Sequence, residues 1–299
     1  MPSVVIAAHN EEHVIGACLD ALAAQDFPGP VQVVVSANGC TDRTAEIARA
    51  RGVTVVDRPE PGKPGALNAG DAVATSFPRL YLDADIVLPP HALSAFVARL
   101  SEAPGRLAAV PRRRLETAGR PWPVRSYFAI NERLPVFRAS LFGRGAIVLS
   151  EEARARFTSF PDVIADDLFV DSLYTEDERV VVPEVEVVVE APLATRALLR
   201  RLVRVRRGNA QLRATAAAAA ASAPAAGPTT TVRRTQRWAW LTAVVVPEPR
   251  LAPAAVPYVV ITLAAALLAR RPVRDAGRSW GRDDSTRGGP AAPGERGAS

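Results

Sequence analysis

The first 110 residues alternate short β-branched runs with stretches of helical spacing, and this alternation most restricts the fold. Ser3–Ala8, Val31–Val35, Val53–Val56, Arg79–Leu82 and Leu107–Val110 are mostly apolar runs of strand length. Between them lie Val14–Ala24, Thr41–Arg51 behind a Thr N-cap candidate, Gly65–Thr75 and His91–Ser101, each with helical periodicity. Apolar strands separated by helices predict a mostly parallel, Rossmann-like α/β sheet covered on both faces. Beyond Glu116 the order is less regular. A helix is expected near Val124–Leu134, a strand at Ala146–Leu149, a helix from Asp166, and strands at Arg179–Val182 and Val185–Val189.

The second part of the chain differs in charge. The 299 residues carry a net charge of +6, yet residues 191–299 hold 18 arginines against five acidic side chains. A basic end on a near-neutral body suits an anionic partner or a solvated tail. Thr195–Ala214 reads as a basic amphipathic helix, with Leu198, Leu199, Leu202, Val205 and Leu212 set among arginines. Aromatic residues are not interleaved there, so no nucleic-acid partner is expected. Leu251–Ala269 is uncharged, bracketed by Arg250 and Arg270–Arg271, and close to the roughly 20 residues of a membrane span. A buried core helix is the other reading, and whether the segment spans or only embeds stays open. The expected organisation is a catalytic domain at 1–190 (halves 1–110 and 111–190) and a basic helix at 191–214. A linker at 215–237, a membrane-associated segment at 238–270 and a disordered tail at 271–299 follow. The composition, 48% hydrophobic and 23% charged, excludes a disordered chain as a whole. Cys18 and Cys40 exclude a disulfide scaffold and suit a reducing compartment. The opening MPSVVIAAHNEE lacks a basic leader region, so translocation is not expected.

Chemistry-bearing residues gather at the predicted strand ends, where open α/β sheets bind ligands. Asp83 and Asp85 close the run Leu80–Tyr81–Leu82–Asp83–Ala84–Asp85 at i, i+2, with no Lys or Arg adjacent in sequence. Two such carboxylates call for a cation, and hard oxygen donors favour Mg²⁺ or Mn²⁺ completed by substrate phosphates. His9–Asn10–Glu11–Glu12 follows the first strand, Asn38–Gly39–Cys40–Thr41–Asp42 the second, and Pro61–Gly62–Lys63 through Asn68 the third. Lys63 is the one lysine among 37 basic residues. A lysine retained in an arginine-biased chain points to a need for a compact ammonium, here near a diphosphate. His9–Asn10–Glu11–Glu12–His13 also satisfies the zinc-peptidase pattern H-x-x-E-H. That pattern needs both histidines on one helix, whereas His9 directly follows a strand.

Taken in order, A-A-H-N-E-E, A-N-G-C-T-D, G-K-P-G-A-L-N-A-G and D-A-D resemble the N-terminal motifs of the family 2 glycosyltransferases of GT-A fold. Asp166–Asp167 in V-I-A-D-D-L-F-V matches the family's later acidic pair, and Phe142–Gly143–Arg144–Gly145–Ala146 its glycine-containing acceptor segment. The similarity covers about residues 3–210. It implies metal-dependent, inverting transfer of a single sugar from a UDP- or GDP-linked donor to a hydroxyl of a lipid-linked or membrane-embedded acceptor. The enzyme would sit at the cell membrane with its catalytic domain cytoplasmic. Asp85 would ligate the divalent ion, with Asp83 near metal or ribose. Asn10, Glu11, Asn38, Asp42 and Asn68 would border the donor, and Lys63 would face nucleotide or sugar. Asp167 would be the general base, with Asp166 its rival for that role. Two departures stand out. The second-strand acidic pair is reduced to Ala37–Asn38, and the processive motif Q-x-x-R-W is replaced by Arg201–Leu202–Val203–Arg204–Val205. Arg201 and Arg204 could still meet the diphosphate, but polymerisation is not expected. A nucleotidyltransferase on a similar sheet, and a non-catalytic membrane partner keeping the fold, are the competing readings.

Overall fold

Strand β1 (Ser3–Ala8) is buried along its whole length, because helices cover both faces of the sheet around it. In the computed structural model, which describes residues 1–102, 104–138, 140–222 and 238–271, seven strands form one sheet in the order β3-β2-β1-β4-β6-β5-β7. The others are β2 (Gln32–Asn38), β3 (Thr54–Arg58), β4 (Arg79–Asp83), β5 (Ala108–Glu116), β6 (Ala146–Leu149) and β7 (Arg179–Glu190). All are parallel except β6, which lies antiparallel between β4 and β5. The carboxyl ends of β1 to β4 therefore share one edge.

Pleating divides the core. Val4, Ile6 and Ala8 pack on one face with α1 (Ile15–Ala23) and α4 (Ala92–Glu102), through Leu19, Leu22, Leu93 and Phe96. Val5 and Ala7 pack on the other with α3 (Lys63–Val73), through Ala66 and Leu67. Helix α2 (Thr44–Arg49) joins β2 to β3. It starts three residues later than Thr41 suggested, and Asp42, not Thr41, accepts from the first-turn amide, at 3.0 Å from Thr44 N.

The second half departs from the expected strands. Arg179–Val182 and Val185–Val189 are one strand, β7, whose register against β5 slips between Pro111 and Arg112. The slip absorbs Pro183, which cannot donate to a ladder. Strand β5 runs six residues beyond Val110, because Arg112 and Arg114 pair with Glu186 across the sheet at 3.0 Å. A third cluster joins α5 (Trp122–Asn131), α8 (Thr195–Ser222) and α9 (Ala252–Ala269). Helix α8 outruns its expected end at residue 214, since alanines are the best helix formers and carry it through Thr215–Ser222. The rest of the expected linker, 223–237, and the tail from 272 lie outside the described residues.

Two buried aspartates, each ion-paired, lock the frame. Arg79, Tyr81 and Arg154, the last on α6 (Glu151–Arg154), converge on Asp71, on α3. Arg179 Nη1 lies 2.7 Å from Asp171 on α7 (Asp166–Ser172), and the same oxygen accepts from Leu141 N at 2.8 Å. The Asp171 bonds fix α7 and the 141–145 loop together. Replacing Asp171 with Ala strands a buried guanidinium and is expected to cost about 3–5 kcal/mol in urea unfolding. A loss below about 1 kcal/mol would show that the pair is dispensable.

Candidate active site

Gly62, with φ 148°, turns the chain out of the β3–α3 loop, and Lys63 opens α3. An ammonium at a helix N-terminus opposes the macrodipole, so it needs carboxylates. Lys63 Nζ lies 2.9 Å from Asp83 Oδ1 at the end of β4 and 3.0 Å from Asp166 Oδ2 at the start of α7. Burial works against its charge, but Asp166, Asp83 and Asp167 outweigh this and hold Lys63 well above the ordinary lysine range. Burial pushes the Asp166 carboxyl up, opposed by Lys63 and reinforced by Asp167. Asp83 of the D-x-D run is thus not left without a cation: the lysine comes from 20 residues earlier. This corrects the picture of unneutralised carboxylates, and it turns Lys63 inward, onto aspartates.

Asp85 sits exposed on the turn after β4, while Asp83 is half-buried. Both lie over α1, where burial and then the charges of Asp85 and Asp83 push the Cys18 thiol up to about 12. Among the described residues no group of three or more His, Cys, Asp or Glu side chains is placed to hold a metal ion by itself. The donors present are two hard carboxylates at an open edge, one oxygen of Asp83 already on Lys63. This set fits a Mg²⁺ or Mn²⁺ ion that takes few protein ligands and the remainder from phosphate and water.

The acidic pair of α7 faces the loop before β6. Asp167 Oδ2 accepts from Gly143 N at 2.9 Å and Oδ1 from Leu168 N at 2.8 Å, which fixes the carboxylate. Gly143 has φ 71°, so a side chain there would be strained. Its carbonyl accepts from Arg113 Nη1 at 3.1 Å, and the Arg113 guanidinium lies 5.0 Å from the centre of the Phe137 ring. Two residues on, the Gly145 carbonyl accepts from Asp83 N at 2.8 Å, tying the same loop to β4.

Arg113 escaped the sequence reading, although alternation along β5 marks it: Arg112 and Arg114 both reach Glu186, so the residue between them faces the other way. Burial and then Arg201 lower its pKa. Glu132 acts on Arg113 in the opposite sense, and among the described residues no carboxylate lies within ion-pair distance of Arg113 or Arg201. Arg204 lies one helical turn beyond Arg201 on α8.

The remaining expected donor-binding residues serve the loops. Asn38 is fully buried. Its amide donates to Ala8 O at 2.7 Å, and its oxygen accepts from Gly62 N at 2.9 Å. A side chain sealed in this way cannot border a nucleoside, which corrects the expectation for Asn38. Asn68 pairs with the backbone of Phe160, donating at 3.0 Å and accepting at 2.7 Å. Asn10, with φ 55°, accepts from Thr41 N at 2.7 Å. Asp42 is held below the ordinary carboxylate range; burial opposes this, and bonds from the Thr44 hydroxyl and the Thr44 and Glu12 amides prevail. Glu11 N donates to Thr44 Oγ1 at 2.7 Å, which keeps the Glu11 turn against α2. His9 Nδ1 lies 2.6 Å from Asn38 O, and His13 is exposed ahead of α1, so the two share no helix.

Asn38→Ala is expected to cost about 1–3 kcal/mol of stability in chemical denaturation, because it leaves the Gly62 amide unpaired and the Ala8 carbonyl with only the weak Cys40 thiol donor. A nucleoside contact would instead weaken nucleotide binding and leave stability intact.

These features can be set against known proteins. The model of the family described as glycosyl transferase family 2 matches residues 3–152. A mannosyltransferase of Pyrobaculum calidifontis, solved with GDP-Man and Mn²⁺, superposes with a TM-score of 0.59 at 25% identity, over 90% of this chain and 78% of that one. Staphylococcus aureus TarS with UDP superposes with a TM-score of 0.50 at 21% identity, over 64% and 60% of the chains, a likeness of fold alone. An uncharacterized glycosyltransferase of Mycobacterium tuberculosis is 34% identical over 121 residues, 40% of this chain and 52% of that one. A 4,4'-diaponeurosporenoate glycosyltransferase of Staphylococcus aureus is 46% identical over 55 residues, 18% of this chain and 14% of that one. The chain thus spans about half the length, or less, of these two relatives. Matching motifs in order on a GT-A-like sheet, with half the sequence covered by the family's pattern, place the chain in glycosyl transferase family 2.

Proposed function

We propose that the protein moves one sugar from a nucleotide-sugar donor to a hydroxyl of a lipid-linked or membrane-embedded acceptor, with inversion. The observation that carries this reading is the meeting of Lys63, Asp83 and Asp166, with Asp167 fixed beside them by the 143–145 loop. The donor diphosphate would lie over the β4 edge. Asp85, with Asp83, would hold a divalent ion there, and the ion would supply charge neutralisation for the departing diphosphate. Lys63 adds a fixed ammonium at the same edge, and Arg113, Arg201 and Arg204 offer guanidinium groups to an anionic group nearby.

Asp167 is the better candidate for general base. Two backbone amides orient its carboxylate, whereas Asp166 is engaged by Lys63. Asp167 would take the acceptor hydroxyl proton as that oxygen attacks the anomeric carbon from the face opposite the diphosphate. Asp166 would keep Lys63 aligned. The apolar α9 and the solved relative with GDP-Man and Mn²⁺ support a membrane-associated enzyme with a nucleotide-sugar donor. The unpaired thiols of Cys18 and Cys40 suit a catalytic domain on the cytoplasmic side.

The test is turnover of a panel of UDP- and GDP-sugars with Mn²⁺ or Mg²⁺. Asp85→Ala is expected to abolish the metal stimulation. Asp167→Asn should keep nucleotide binding while slowing transfer by about 10²–10⁴-fold. Equal turnover in wild type and Asp85→Ala would overturn the metal role. If Asp166→Asn abolished transfer while Asp167→Asn retained it, the base would be Asp166.

A further inference from the structure

We infer that α9 lies flat in the headgroup layer of an anionic bilayer, as a monotopic docking face, and does not cross the membrane. This rests on the membrane association proposed above and not on the transfer reaction. Helix α9 has two faces of different fate. Tyr258, Ile261 and Ala265 are buried against the domain. Val256, Val260, Leu263 and Leu267 are 66%, 60%, 58% and 64% exposed. Their spacing of four, three and four residues puts them on one stripe. Trp238 and Val246, in the segment leading to α9, are exposed as well.

By composition the helix could span: Pro249–Ala269 has 21 residues, and an 18-residue window of it reaches a mean hydropathy of 2.1. Its packing argues otherwise. Contacts with the domain run from end to end. Near the start Tyr258 stacks on Tyr127 of α5 at 5.2 Å. At the far end Arg207 of α8 donates to the carbonyls of Leu268 and Arg271 at 3.3 and 3.1 Å. Helix α8, packed against α9, carries Arg196, Arg200, Arg201, Arg204, Arg206, Arg207 and Arg213. Were α9 to cross while keeping these contacts, arginines of its partner would enter hydrocarbon, where each is strongly disfavoured. Lying in the plane, α9 buries its outer stripe in lipid and leaves the α8 arginines at headgroup level. Exposed Arg250, Arg270 and Arg271 at the two ends of the stripe complement an anionic surface.

The experiment uses the full chain with Val256→Cys, Val260→Cys, Leu263→Cys or Leu267→Cys, each labelled with a fluorophore on vesicles containing phosphatidylglycerol. Native Cys18 is buried with its thiol pushed up to about 12, and Cys40 is raised as well, so the introduced thiols react first. Nitroxides placed shallow or deep in the lipid report depth. An in-plane helix gives all four positions the same shallow depth. A graded profile, deepest at Val260 and Leu263, means a span and overturns the inference while leaving membrane association intact. No quenching at any position, in protein that still binds nucleotide, overturns membrane association and leaves the transfer reading standing. Arg270→Gln and Arg271→Gln should each lower binding to these vesicles by about fivefold, with no change on phosphatidylcholine alone. Equal effects on both lipids would overturn the choice of an anionic surface.

Discussion

A single ammonium, that of Lys63, is gripped between carboxylates from two elements far apart in sequence, and the geometry of the site depends on that grip. Asp83 ends a strand at the centre of the sheet, and Asp166 starts a helix beyond β6. The ammonium between them offsets the repulsion of the two carboxylates. The lysine therefore joins the nucleotide-binding half of the sheet to the half that carries the acidic pair. Its position at the N-terminus of α3 opposes the helix dipole, a local cost that the aspartates offset.

Around this centre, polar side chains at the strand ends spend their hydrogen bonds on loop backbones. Asn38 joins β1 to Gly62, Asp42 ties the first two strand-end loops, and Asn68 fastens Phe160. Asp171 with Arg179 holds the base of the loop whose glycines meet Asp167, Arg113 and Asp83. A site made of loops at a sheet edge needs such ties, because loop ordering is costly and a misplaced carboxylate loses its chemistry. Several motif residues that look like ligand contacts are thus supports for the groups beside them.

The third cluster extends the same frame to its outer side. Helices α5, α8 and α9 share apolar contacts, and α8 brings Arg201 and Arg204 on the chain that also holds α9 through Arg207. The exposed apolar stripe of α9 is in this way mechanically continuous with the edge that carries the acidic pair.

The sequence alone determined the strand–helix alternation and the run of motifs. Both are local: apolar periodicity sets each element, and parallel strands bring their carboxyl ends to one edge. It could not reveal that β6 runs antiparallel, that Pro183 is absorbed in a register slip, or that β5 continues past Val110 so that alternation applies to Arg113, because each depends on cross-strand pairing. Nor could it separate Asn38, whose hydrogen bonds are consumed inside, from Asp85, which stays at the open rim. Tertiary structure decided which carboxylate meets Lys63 and which face of α9 remains bare. Those outcomes follow from burial and from charges that meet only after the chain has folded, which no spacing along the sequence records.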